Sequence, residues 1–320
     1  MKKHRFRKRL IVTASLLLGL IALAVLLAPL FIIIGTTSGH VDYLGYTTED
    51  YPLQGLYTSD DFGLASKDQF LTTQDGFSIW VSEITANQPN GIVIFLSGIR
   101  QPSVTYFYGH SKWLQKNGYA SVLLEVRGHG QSDGDRISLG YEETADVHAV
   151  VDYIRSQPVY EDVPIVVHGV SMGGAIAINA FGQIPEIDGL IAMSAYSSFS
   201  AVVSDTLRGY GIPGFLCSLE KALTDLYMPL FFKDSPELTP IRQVQNIGSR
   251  PALFIACTGD KEVLSENTER LLSAAPGHRD SWVKDSWEHF IINECDFANM
   301  EQDTEYCSRI LCFLEQVAID

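Results

Sequence analysis

Ile165-Val166-Val167-His168-Gly169-Val170-Ser171-Met172-Gly173-Gly174-Ala175-Ile176-Ala177 is the stretch whose reading decides the fold. It opens as a short β-branched run, passes through Gly-x-Ser-x-Gly and continues in small helix formers. A buried strand thus turns sharply into a helix, and a strained turn of this kind pushes a serine hydroxyl out at the carboxyl end of the strand. Glycines are needed at 169 and 173 because a Cβ there would collide with the adjoining strand and helix. The helix that follows points its first N–H groups at the space where an oxyanion would form.

Working outward, short strand-like runs occupy residues 69–72, 77–83, 91–96, 120–126, 164–168, 190–194, 252–257 and 281–284. Several are almost purely apolar, as strands buried on both faces of a parallel sheet are. Helical patterns fall between them at 104–117, 141–156, 172–183 and 301–316. The alternation predicts an α/β fold with a mostly parallel central sheet flanked by helices. Residues 199–249 break the rhythm: about fifty residues without a clear strand, rich in aromatic and aliphatic side chains, read as a helical cap inserted in the domain.

A serine hydroxyl is a weak nucleophile at neutral pH and needs a base and an orienting acid. Both stand after later strands. Thr258-Gly259-Asp260-Lys261-Glu262 follows the run 252–257, and Asp285-Ser286-Trp287-Glu288-His289 follows 281–284. The order Ser171, Asp260, His289 is the Ser…Asp…His order of the nucleophile-elbow hydrolases. Glu262 is the rival acid, and solvated surface turns are the alternative for both loops. Among the other histidines, His4 precedes the apolar N-terminal run and His40 follows it. His110 and His148 lie in helical patterns, His129 belongs to another loop, His278 sits in a Pro/Gly turn, and His168 packs behind the elbow.

Residues from about 57 to 316 resemble the serine hydrolases of the α/β-hydrolase superfamily, within the monoglyceride lipase, lysophospholipase and serine aminopeptidase group. The pieces that carry the likeness stand in the family's order. They are Thr73-Gln74-Asp75-Gly76, Leu96-Ser97-Gly98, Arg127-Gly128-His129-Gly130-Gln131-Ser132, the elbow, and the Asp and His loops. Membrane-anchored bacterial hydrolases are the nearest type. The resemblance implies a Ser171–His289–Asp260 triad, backbone N–H donors at Ile99 and Met172 for an oxyanion, a structural role for the Arg127 loop, and neither metal nor organic cofactor. One departure stands out: relatives usually carry His-Gly where this chain has Ser97-Gly98. Arg100, beside that pair, either binds a polar substrate group or is solvated, and the second reading is preferred.

At the amino terminus, six Lys and Arg within the first nine residues precede a run from 10 to 34 that holds no charged residue. Such a helix is about 37 Å long, enough to cross a hydrocarbon layer of about 30 Å. The expected division is a cytoplasmic basic segment (1–9), a transmembrane signal anchor (10–34), a linker (35–56) and a hydrolase domain (57–320) carrying the cap (199–249). By the positive-inside rule the domain lies on the extracytoplasmic side of the cell membrane. A cleaved signal peptide is the competing reading. Beyond the basic segment, 17 Lys and Arg stand against 38 Asp and Glu, a balance of −21, which argues against nucleic acid as a partner. The five cysteines show no zinc spacing. Cys257 reads as a buried small hydrophobe, and Cys295 with Cys307 is one conceivable pair.

These readings lead to a serine hydrolase acting on a carboxylic ester through an acyl-enzyme, and membrane tethering would suit a lipid-derived ester as its small-molecule substrate. A peptidase or amidase of the serine aminopeptidase type is the alternative, followed by a non-catalytic binding protein on the same fold. Acyltransfer and dehalogenase or epoxide-hydrolase chemistry stand further back.

Overall fold

The computed structural model describes residues 2–42, 56–101, 103–277, 279–292 and 297–319. Eight strands form one sheet in the order β1-β2-β4-β3-β5-β6-β7-β8. They are β1 (Lys67–Thr72), β2 (Ser78–Ile84), β3 (Ile92–Leu96), β4 (Ala120–Leu124), β5 (Ile165–Val170), β6 (Gly189–Met193), β7 (Ala252–Cys257) and β8 (Asp280–Lys284). The β1–β2 and β2–β4 pairings are antiparallel, and the rest of the sheet is parallel. Strands β3 to β7 are buried at every position, which is why they read as unbroken apolar runs.

Helices α2 (Tyr108–Lys116), α3 (Thr144–Ser156), α4 (Met172–Gln183), α8 (Glu266–Ala274) and α9 (Thr304–Val317) lie in the connections and after β8. Side chains on the two sides of the sheet form two apolar clusters, one including Ile94, Val122, Val167 and Phe254, the other Phe95, Leu123, Ile191 and Ile255. Between β6 and β7 the chain runs through α5 (Phe199–Gly209), α6 (Gly214–Tyr227) and the short α7 (Pro240–Gln243). Strand order reverses between β4-β3 and β5-β6, the kind of switch point outside whose strand carboxyl ends open α/β sheets bind ligands.

The amino-terminal helix α1 spans Lys2–Thr37, and its segment Phe6–Thr37 is long and apolar enough to cross a membrane. Two boundaries differ from the expectation. The helix continues past residue 34, and residues 38–42 do not start a free linker but pair with the loop after β4, through bridges Ser38 to Arg136 and Val41 to His129. Pro29, Ile33 and Thr37 are buried at four-residue spacing, and α1 packs against α6. Docking of the helix end explains both shifts, since carbonyls and apolar side chains there have protein partners. The remainder of the expected linker, 43–55, and the residues His278 and Cys295 lie outside the described residues.

Candidate active site

Ser171 occupies the sharp turn between β5 and α4 with φ +56° and ψ −118°. A non-glycine residue there costs on the order of 1–3 kcal/mol, which the surrounding structure must offset. Its N–H donates to Met193 O at the end of β6 (2.9 Å). A Cβ on Gly169 would overlap the Gly173 carbonyl, and one on Gly173 would overlap the carbonyls of Leu96 and Ser97. The two glycines thus let the turn close against β3. Met172 begins α4, so its N–H belongs to the first, unpaired turn of a helix beside the nucleophile position.

Asp260 and His289 arrive on neighbouring loops because β7 and β8 are adjacent and their ends are tied together. Thr258 N donates to Lys284 O (3.0 Å) and Gly259 N to Ser286 O (2.7 Å). Beyond this ladder, His289 Nδ1 donates to Asp260 Oδ2 at 2.6 Å. The other carboxylate oxygen of Asp260 accepts from the N–H groups of Glu262 (2.8 Å) and Val263 (3.0 Å). With that carboxylate on Nδ1, the Nε2 of the neutral ring is the acceptor. It is buried and has no hydrogen-bond partner among the described residues.

Ser194, next after Met193, donates from Oγ to His289 O (2.6 Å). Consecutive residues at the tip of β6 therefore hold the backbones of Ser171 and His289. Burial works against charging the His289 ring, but the hydrogen bond and charge of Asp260, aided by Glu262, outweigh it and raise its pKa. Glu262 does not compete for Nδ1: its carboxylate is 3.9 Å from Nε2 and 73% exposed.

The loop after β3 is held from inside. Gln101 is buried; its side-chain oxygen accepts from Gly98 N (2.7 Å) and from the Tyr106 hydroxyl in a very short bond. Ile99, between them, is partly buried. Gln101, Tyr106 and Ser194 were not singled out in the sequence. A polar Gln three residues after a loop glycine was the available signal for the first; the other two look like ordinary core and turn residues.

Arg100 has φ +54°, and its side chain is not simply solvated as expected: it donates to the end of α1. His168 is buried behind the elbow, edge-on to Phe107 and within reach of the Tyr306 hydroxyl (3.2 Å). Cys257 is fully buried. A cavity of about 430 Å³ opens beside Glu262, walled by Thr206, Gly209 and Tyr210 of the insertion and by Leu264. Among the described residues, no group of three His, Cys, Asp or Glu side chains is placed to hold a metal ion.

Comparisons with known proteins agree with this architecture. A family model, Serine aminopeptidase, S33, matches residues 87–228. Among curated relatives, the protein YqkD of Bacillus subtilis is 26% identical over 54% of this chain. The AB hydrolase superfamily protein YisY of the same organism is 29% identical over 52% of it. These matches span 56% and 57% of the relatives' own lengths. The Pyrococcus furiosus esterase Pf2001 superposes with a TM-score of 0.65 at 23% identity, covering 87% of this chain and 98% of its own. Sheet order, strand-to-helix turn and these likenesses together give the chain the α/β-hydrolase fold, with a segment similar to the serine aminopeptidase family.

Proposed function

We propose that the protein is a serine hydrolase that cleaves carboxylic esters through an acyl-enzyme. The observation that carries this is the His289 ring, locked by Asp260 at Nδ1 and open at a buried Nε2, on the same strand tip that holds the strained Ser171. Ser171 Oγ attacks the ester carbonyl carbon while His289 Nε2 takes its proton. Asp260 keeps the ring in the accepting tautomer and stabilises the imidazolium. The N–H groups of Ile99 and Met172 receive the oxyanion, and collapse of the tetrahedral intermediate expels the alcohol with the proton from His289. Water then attacks the acyl-enzyme by the same route in reverse and releases the acid. In apo structures such hydrogen bonds tighten only when substrate binds, which suits a nitrogen standing open.

The ester reading draws on the esterase Pf2001 as a structural likeness and on the insertion, taken here as a cap. Tyr210, Phe215, Leu219, Leu226 and Leu230 are exposed apolar side chains on or beside α6, the helix against which α1 packs. An apolar surface beside an apolar amino-terminal helix suits a greasy, membrane-derived acyl group. We read α1 as an uncleaved single-pass anchor with its basic end in the cytoplasm and the enzyme outside. A peptidase reading has one observation in its favour: Glu262, an exposed carboxylate beside Nε2, is placed to meet a cationic amino group.

The test is hydrolysis of p-nitrophenyl esters from acetate to palmitate by the full-length chain in detergent, beside amino-acid p-nitroanilides and Ser171→Ala. Serine-dependent turnover of the esters, with a maximum at one chain length, is the expected result. Turnover of the anilides alone would establish the peptidase reading. Failure of both, together with no labelling by a fluorophosphonate, would remove Ser171 from the nucleophile role.

A further inference from the structure

The last turn of α1 is an integral part of the domain, and its carbonyls are fully accounted for. A helix end leaves its last four carbonyls without helical partners, at the negative end of the helix dipole. Here Ile34 O accepts from Ser38 N (2.9 Å) and Thr37 O from Ile137 N (2.8 Å). Gly35 O and Thr36 O accept from the guanidinium of Arg100, at 2.7 and 3.1 Å. The last turn of α1 contains no basic residue of its own, so the cation that matches its dipole comes from a loop 64 residues away in sequence.

That loop is the one following β3. Arg100 directly follows Ile99, and its left-handed backbone, strained for a residue with a side chain, aims the guanidinium out of the loop and onto the helix. The loop is thereby gripped twice, by Gln101 and Tyr106 from within and by α1 through Arg100 from outside. The helix end is itself pinned to the loop after β4. Gly39 N donates to Asp135 O and Val41 N to Gly128 O, and the His40 ring spans Gly134 O and Gly130 O (2.7 and 2.9 Å).

From this we infer that the end of the membrane helix is a component of the hydrolytic site: Arg100 is a positioning residue that, clamped on α1, holds the Ile99 N–H where the oxyanion forms. The inference rests on the Ser171 reading above. A chain severed between 35 and 41 would keep Ser171, His289 and Asp260 but lose the outer grip on the loop. Attachment to the helix, and not merely proximity to the membrane, would then be required for full turnover.

The experiment compares full-length wild type, Arg100→Ala and Arg100→Lys in detergent, with rates scaled to active sites titrated by fluorophosphonate. Arg100→Ala is expected to lower kcat at least about tenfold while KM stays within about twofold, because the donor serves the transition state more than the ground state. Arg100→Lys, which keeps a cation for the helix carbonyls, should recover part of the loss. A kcat per titrated site unchanged in Arg100→Ala overturns the inference, even if its melting temperature falls. Hydrogen exchange over residues 97–101 gives a readout independent of activity: faster exchange in Arg100→Ala supports the grip and unchanged exchange overturns it. If wild type neither turns over esters nor labels, the Ser171 reading fails, and the exchange result alone decides whether α1 positions this loop.

Discussion

Arg127 and His289 are both buried, both face aspartates, and serve opposite ends. The Arg127 guanidinium, 3% exposed, is bonded to Asp75 on one side (2.6 and 3.0 Å) and to Asp146 on the other (2.9 and 2.7 Å). Asp146 also accepts Arg127's own backbone N–H, and the guanidinium lies over the Phe77 ring. The hydrogen bonds from Arg127 hold the Asp75 carboxyl down at about 2. His289 has one saturated nitrogen and one left open. Where the donors and acceptors are paired off, the network holds loops together; a buried group left unpaired, as His289 Nε2 is, is what the proposed mechanism uses for chemistry.

Breaking the open site should have the largest effect. Ser171→Ala is expected to lower kcat/KM by at least about 10⁴-fold with the thermal transition nearly unchanged, and Asp260→Asn by about 10⁴-fold through the wrong His289 tautomer. Ester kinetics beside circular dichroism checks both; a large loss of stability in either variant would erase the contrast with Arg127.

Breaking the closed network should do the reverse. Arg127→Ala leaves Asp146 buried without its counter-charge and should destabilise the fold by about 3–5 kcal/mol, measured by denaturant unfolding. Turnover per titrated active site should stay close to wild type, and a loss there as large as that of Asp260→Asn would mean that the loop enters the chemistry.

The smallest effect sharpens the electrostatics of the open site. His289 must be neutral to accept a proton, and its pKa is raised, so kcat/KM should climb with pH through a limb lying above the usual imidazole value. Glu262→Gln removes a negative charge that favours the protonated ring, and the limb should move to lower pH. A pH profile of each enzyme measures this. A limb that moves to higher pH instead would show that Glu262 acts by another route.

Much of the architecture was legible. All eight strands appear within one or two residues of the expected runs, and β3 to β7, buried on both faces, leave the clearest local mark. Helix α8 went unseen: its buried side chains are Asn267, Thr268 and Leu271, so no apolar stripe announces it. Candidate site residues in strand-end loops were legible for the same local reason, since strand, glycine and polar loop follow one another in the chain. Gln101 and Ser194 were not, because their value lies in which backbone groups they reach.

By itself, the sequence determined what depends on neighbours in the chain: the elbow, where Gly169 meets the backbone of Gly173 and Gly174, the buried strands, and an amino-terminal helix apolar all round. Only the tertiary structure decided that the ring of His289 stands open at Nε2, that Glu262 lies beside it, and that α1 is capped by Arg100. Each of those is a pairing, or a failure to pair, of polar groups far apart in sequence. Steric and hydrophobic preferences act locally and leave a pattern; the satisfaction of a buried hydrogen bond depends on what the folded chain brings within about 3 Å.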